Sequence, residues 1–227
     1  MRGRTLLTLV IACTPLLHAQ QGIQLGPKYI PTATWFLNDD DAAPSSSRSA
    51  FGFGANYHFK DGTGAGLEVI WSTGTQIIRR DNATWEHELS YVKVPLLLHF
   101  NSGSEDVVPF LGYFGLEYVK LREAHLFLDG CNMDEAAFVD ANGVRIADKE
   151  PKDLFRSSDL GVVLGFGPGW NINERLQFTA IARADHLFHD PENKDASFYW
   201  GSERPKTSLF TLGLDLGLKL IIATTGR

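Results

Sequence analysis

Asp185-His186-Leu187-Phe188-His189-Asp190 is the densest grouping of chemistry-bearing side chains in this sequence of 227 residues. An imidazole beside a carboxylate can act as a general base in hydrolysis, and a pair of imidazoles can ligate a metal. No serine stands at a diagnostic spacing from His186 or His189, so the segment reads first as a solvated rim where a strand meets a loop. A second grouping, Asp129, Asp134, Glu135, Asp140, Asp148, Glu150 and Asp153, offers carboxylates to calcium, but it lacks the acidic spacing and glycine position of an EF-hand. A third set is Lys28, Lys93, Arg183 and Lys219 with Glu68, Glu117, Asp185 and Asp215. Cations and carboxylates in equal number suit mutual neutralisation in a buried space, because an isolated buried charge is costly. Neither a catalytic residue, a cofactor site nor a metal site is assigned from these groups.

The elements that would position the third set are strands. Leu212, Leu214, Leu216, Leu218 and Leu220 alternate with Gly213, Asp215, Gly217, Lys219 and Ile221, a period of two that gives a sheet one apolar face and one small or charged face. The same pattern marks eight segments, 23–37, 49–60, 64–79, 86–101, 107–121, 158–171, 175–188 and 206–222. Short polar turns at 60–64, 102–106 and 171–174 alternate with longer connections at 38–48, 80–85, 126–156 and 189–205. That asymmetry, with both strand termini at the short-turn rim, predicts an all-β, eight-stranded antiparallel up-and-down transmembrane β-barrel. Most segments exceed the roughly 9–11 residues that a tilted strand needs to cross a bilayer.

Parity places the four cations and four carboxylates on the glycine-rich face, which predicts a lumen charge network inside a barrel only wide enough to be filled by side chains. Aromatic residues gather near segment ends: Trp35, Phe51, Trp71 and Tyr118 toward the long connections, and Tyr57, Phe59, Phe100, Phe110 and Trp170 toward the short turns. Such rings suit membrane interfaces, and outer-membrane lipid is therefore the expected surrounding. Pro95 cannot donate to a ladder and predicts a bulge or irregular point with a local kink.

Arg2 and Arg4, the apolar residues 6–17 and Leu17-His18-Ala19 predict a secretory signal peptide at 1–19, leaving an outer-membrane barrel domain at 20–227 in the bacterial outer membrane. A rival lipobox at Val10-Ile11-Ala12-Cys13 is interrupted by the continuing apolar stretch. Cleavage after Ala19 leaves Cys131 as the single cysteine, so no internal disulfide is expected. The formal charge of -6 argues against nucleic acid as a partner. In the long connections, Phe127, Phe138, Val139, Ile146 and Phe155, and separately Phe198, Tyr199 and Trp200, suggest contact surfaces for a partner. Asn82-Ala83-Thr84 matches a glycosylation sequon, which carries little weight in a bacterial export context.

Tyr91-Val92-Lys93-Val94-Pro95-Leu96-Leu97-Leu98 resembles the "Y-x-x-(I/V)-P-L-L-L" strand of PorT-like outer-membrane β-barrel proteins. Phe51-Gly52-Phe53-Gly54, Gly66-Leu67-Glu68 and Val108-Pro109-Phe110 followed by Gly112 are similar to the surrounding family pattern. The resemblance implies an integral outer-membrane protein, and some members of such families serve protein secretion. The leading expectation is a non-enzymatic barrel whose longer loops contact a partner or ligand in protein secretion or envelope maintenance. Two alternatives stay open: an envelope hydrolase acting on lipid or peptide at the rim, and a soluble periplasmic barrel that binds an apolar ligand.

Overall fold

The computed structural model describes residues 22–37, 42–43, 48–59, 62–80, 83–102, 108–134, 150–191 and 208–223. The alternating segments form β1 (Gly22–Leu37), β2 (Arg48–His58), β3 (Thr63–Arg80), β4 (Ala83–Asn101), β5 (Phe110–Leu128), β6 (Ser158–Asn173), β7 (Leu176–Leu187) and β8 (Ser208–Ala223). Each pairs antiparallel with its neighbours in sequence, and β1 pairs with β8 from Gly22↔Ala223 to Leu37↔Ser208. The result is a closed, eight-stranded, up-and-down barrel without a free sheet edge. The expected leader at 1–19, Asn82, Glu135, Asp140, Asp148, Phe138, Val139, Ile146, Phe198, Tyr199 and Trp200 lie outside the described residues.

Period two resolves into an outer apolar wall and an inner polar one. In β8, Leu212, Leu214, Leu218 and Leu220 are exposed outward while Asp215, Gly217 and Lys219 are buried. Leu96 and Leu116 are 63% and 62% exposed, whereas Glu68, Glu117 and Asp215 are 0% exposed. Exposed aromatics form a lower band with Tyr57, Phe59, Phe100, Phe110 and Trp170 and an upper band with Phe51, Trp71 and Tyr118.

The strand interiors carry prolines at 27, 31, 95 and 168. A strand proline removes one donor on one side only, and the ladders record this. Pairing stops between Leu25↔Leu220 and Lys28↔Gly217 at Pro27, and between Tyr29↔Leu216 and Thr32↔Gly213 at Pro31. It stops between Leu67↔Leu96 and Ile70↔Lys93 at Pro95, and between Phe166↔Ala182 and Gly169↔Thr179 at Pro168. Each proline stays in register with its other neighbour, as in Pro95↔Glu117. Pro95 is therefore the irregular point of the two possibilities, a gap in one ladder and not a bulge, because the register on both sides of it is continuous.

The bulge lies elsewhere. Ser90 pairs with Glu123 but Tyr91 pairs with Leu121, so Arg122 is the extra residue in β5. Below it Val119 and Leu121 point inward, and above it Ala124 and Leu126 do. The strand predicted to stop at residue 121 runs on to Leu128, since the inserted residue shifts the parity without ending the pairing. At 18 or 19 residues, β3, β4 and β5 reach far past β2 and β7, which have 11 and 12. At ~3.3 Å per residue the long strands are roughly 60 Å from end to end, and at a barrel tilt of about 40° they rise roughly 45 Å, about half as much again as a bilayer core.

The tall strands end in a tight hairpin. Leu128 pairs with Cys131 and Phe127 with Asn132 across Asp129 (φ 47) and Gly130 (φ 82). Positive φ at both central residues is the turn that Asp-Gly favours. Gly130→Ala is expected to cost the hairpin about 1–2 kcal/mol, because a side chain is strained at that backbone angle. Faster amide exchange at Met133, whose N–H donates to the Leu126 carbonyl at 2.8 Å, checks this while the barrel's unfolding midpoint stays fixed.

Beneath the extension, Leu89, Tyr91, Val119, Leu121, Ala124 and Leu126 face inward and pack with Leu154, Phe155, Leu187 and Leu209. Leu154 closes a short 3₁₀ turn (Pro151–Leu154) and Phe155 follows it, 2% exposed. The returning loop thus lays an apolar cover over the upper mouth of the barrel.

Candidate functional site

Consecutive strand residues face opposite sides, so the polar grouping at 185–190 is divided on folding. Asp185 points into the lumen, while His186 sits on the outer wall with ring centroids 6.4 Å from Phe188 and 6.5 Å from Phe210. His189 lies above the strand, where its Nδ1 pairs with Asp159 Oδ1 at 2.5 Å. Among the described residues neither imidazole bonds a serine, threonine or cysteine, and no cluster of three or more His, Cys, Asp or Glu could hold a metal. The described acidic residues of the former long loop are occupied individually. Asp129 accepts the Thr84 N–H, Glu150 pairs with Lys152, and the Asp153 carboxylate accepts the Glu150 N–H.

Inside the barrel the geometry is denser. Lys28, from β1, reaches across to Glu68 Oε1 at 2.5 Å on β3 and to Asp215 Oδ2 at 2.6 Å on β8. Arg183, from β7, donates through Nη1 to Glu68 Oε2 at 3.0 Å and through Nε to Asp185 Oδ1 at 2.8 Å. Its Nη2 stands 3.5 Å from Glu117 Oε2 on β5. Lys93, on β4, donates to Asp185 Oδ2 at 3.1 Å. Six strands are therefore tied across the lumen by Lys28, Glu68, Lys93, Glu117, Arg183, Asp185 and Asp215. Lys219 is buried too, yet it makes no ion pair or hydrogen bond among the described residues.

Sequence reasoning missed the hub of this arrangement. The Tyr113 hydroxyl donates to Asp215 Oδ2 at 3.0 Å, and its ring faces the Lys28 ammonium at 5.4 Å and the Arg183 guanidinium at 6.0 Å. The signal was present, because Tyr113 shares odd parity in β5 with Glu117. One inward glycine clears the space this ring needs: a Cβ on Gly165 would run into the Tyr113 ring.

Above the ions, a void of about 20 Å³ is lined by Thr32, Thr34, Tyr91, Lys93, Arg183 and Thr211 among others. That is room for about one water. Below them, Gln24, Asn56, His58, His99 and Gln177 face the lower lumen, with the His58 and His99 rings 5.8 Å apart. The chemistry available to such an interior is charge neutralisation and cross-linking of the wall.

On the extension, outside the apolar bands, His125 Nδ1 pairs with Asp134 Oδ2 at 2.7 Å, and Asp134 Oδ1 accepts the Leu126 N–H at 2.8 Å. The hydrogen bond to Asp134 holds the His125 pKa above 6.5. Partial burial works against the Asp134 carboxylate, but bonds from His125, Leu126 and Asn132 outweigh it and keep its pKa below 3.8. The sign follows from each shift. His125 contributes stability that is complete below its ordinary pKa and lost as pH rises through the raised value; Asp134 contributes stability present above its ordinary pKa and lost as pH falls through the lowered one. The hairpin is expected to be most tightly held between these two limits. A histidine NMR titration checks it: Asp134→Asn should bring the His125 midpoint back toward its ordinary value.

No protein-family model matches the chain, and no curated protein matches it in sequence. Among solved structures the chain is similar to Neisserial surface protein A, at 8% identity and a TM-score of 0.54, with 90% of this chain and 99% of that one covered. The fold is that of an eight-stranded outer-membrane barrel. A second likeness, to the outer membrane protein OprG from Pseudomonas aeruginosa, has 13% identity and a TM-score of 0.52, covering 92% of this chain and all (100%) of that one. At such identities the likeness concerns architecture: strand number, antiparallel order and closure.

Proposed function

We propose that this protein is an integral, non-enzymatic barrel of the bacterial outer membrane, related to the PorT-like proteins, that presents its tall strands and loops to a partner in protein secretion or envelope maintenance. On this reading residues 1–19 are an export signal that is removed, and 20–227 form the barrel. The observation that carries it is the inversion of polarity, with leucine and aromatic side chains exposed around the whole outer wall while lysine, arginine and carboxylates meet inside. A soluble barrel that binds an apolar ligand would need the opposite arrangement.

The cross-linked lumen and its apolar cover favour a stalk over a pore. Ion pairs that bind opposite walls leave no continuous path for solutes, so a fixed barrel can hold up the β3–β5 extension without leaking. The hydrolase alternative is weakened because Asp185 and His186 lie on opposite faces of β7, and because the His189–Asp159 pair bonds no serine, threonine or cysteine among the described residues. The partner surface is sought on the extension, which carries function beyond the height needed to cross a membrane.

Fractionation combined with heat-modifiable gel mobility tests the placement. The protein is expected in the membrane fraction and to migrate differently before and after boiling; recovery in the aqueous periplasmic fraction would reject the reading. The role is tested separately, by deletion of the protein: normal export of secreted proteins and an intact envelope would remove secretion and maintenance from the proposal while leaving the barrel in place.

A further inference from the structure

The outer face of β5 and β6 carries two cavities in line. The upper one, of about 540 Å³, lies between the β5 bulge and the returning loop and is lined by Arg122, Lys152, Arg156, Ser157 and Ser158, with Asp153 as its acid. The lower one, of about 320 Å³, is an apolar groove where Ala184 makes a low floor between Phe114, Val162, Leu164 and Phe210. Ser158 and Val162 lie four residues apart on β6, roughly 13 Å, and so join the two cavities along one strand.

Their heights match the two ends of a lipid. Tyr118 is the last exposed aromatic of the β5 wall, opposite Leu160, and Lys120 follows it on the same outer face opposite Ser158. The cationic cavity therefore begins directly above the aromatic band, at the level of lipid headgroups. Arg122 keeps the outward face that parity gives it after inward Leu121, and the bulge turns Glu123 outward beside it where unbroken alternation would have turned it in. Arg122 and Lys120 have no hydrogen-bond or ion-pair partner among the described residues. Arg156 spends its Nε on the Asp190 carbonyl at 3.4 Å, and Lys152 pairs with Glu150 at 2.8 Å. Asp153 is engaged by the Glu150 N–H.

We propose that this face seats a phosphorylated lipid of the outer leaflet, its phosphate held by Arg122 and Arg156 with Lys152 beside them and one acyl chain lying in the groove floored by Ala184. The inference rests on the membrane placement proposed above. Guanidinium groups suit phosphate because they offer paired donors in a fixed plane. The groove below supplies the affinity that a free anion would lack.

The test uses the full barrel in phosphatidylcholine nanodiscs doped with bisphosphorylated lipid A, and counts lipid A retained per barrel after detergent exchange. The wild type is expected to retain it. The double variant Arg122→Gln, Arg156→Gln should retain about tenfold less, the scale of losing one charge-assisted bond. Wild-type protein should retain dephosphorylated lipid A as weakly as the double variant retains the phosphorylated form. Ala184→Phe, which fills the groove from outside, should lower lipid A retention also. All variants alter the outer surface, so heat-modifiable mobility confirms that each is folded before it is scored. Equal retention by wild type and double variant overturns the seat, as does full displacement by inorganic phosphate, which would assign the cavity to free anions. A chain that never enters the nanodiscs overturns the membrane placement and the seat together. One that enters but retains lipid regardless of phosphate overturns the seat alone.

Discussion

Replacing Arg183 with methionine is expected to destabilise the barrel by about 3–5 kcal/mol, the cost of leaving buried charges without their partner. The guanidinium stands against three carboxylates, those of Glu68, Asp185 and Glu117, at 3.0, 2.8 and 3.5 Å. Methionine fills much of the same volume, so the loss is electrostatic and not a cavity effect. After the change Lys28 still neutralises part of Glu68, and Lys93 part of Asp185, but Glu117 has no donor of its own among the described residues, and its oxygens accept no hydrogen bond. This asymmetry makes a second variant informative. Glu117→Gln alone should cost little, because Arg183 retains its two shorter contacts. In the Arg183→Met background it should restore part of the loss, since it removes the carboxylate left most exposed to its neighbours' repulsion. Urea midpoints for refolding into liposomes, read by heat-modifiable mobility, give all three values. A midpoint for Arg183→Met equal to wild type would show that the lumen screens its charges as water does.

The architecture was legible because lipid and lumen impose opposite demands on alternate residues, and alternation is visible in one dimension. All eight segments were found on that signal, as was the face that carries Lys28, Glu68, Arg183 and Asp215. What failed were the places where the alternation is broken on purpose. The insertion of Arg122 shifted the phase of β5, so its last seven residues fell outside the predicted strand. Asp129-Gly130 is a strong hairpin signal that went unused, because no strand was seen to lead into it. At Pro95 a bulge and another irregular point stayed open, since sequence gives no way to know that a lost donor can open one ladder while the opposite ladder keeps the register.

Side-chain partners were less legible than faces. Parity placed Lys219 with the other inward charges, and it is buried among them, but it makes no ion pair or hydrogen bond among the described residues. Tyr113 went unnoticed because a tyrosine in an aromatic-rich strand looks like one more interface ring. Its parity, opposite to that of Phe114 and Tyr118, assigns it to the interior. The outward-facing groove at Ala184 left no signal in sequence at all, since it arises between strands and depends on which small residue of β7 falls beside which large residue of β5 and β6.

Leu164→Arg is expected to cost about 2–4 kcal/mol in a bilayer, the penalty for a cation facing lipid near the midplane. Leu164 is 55% exposed and pairs with Phe114, midway along the wall between Pro168↔Phe110 at the lower aromatic band and Leu160↔Tyr118 at the upper one. Ile172 supplies the control. It is 58% exposed on the same strand but stands at the short-turn rim, where the penalty for arginine falls to about 0–1 kcal/mol. The two positions are equally exposed, so water would treat both substitutions alike. Only a surrounding medium whose polarity changes with depth separates them. Refolding into liposomes should therefore show a large loss for Leu164→Arg and almost none for Ile172→Arg, and the gap should shrink in detergent micelles, which deform around a charge. Equal midpoints for the two variants in liposomes would mean that the apolar wall does not face lipid, and the outer-membrane placement would fall with that result.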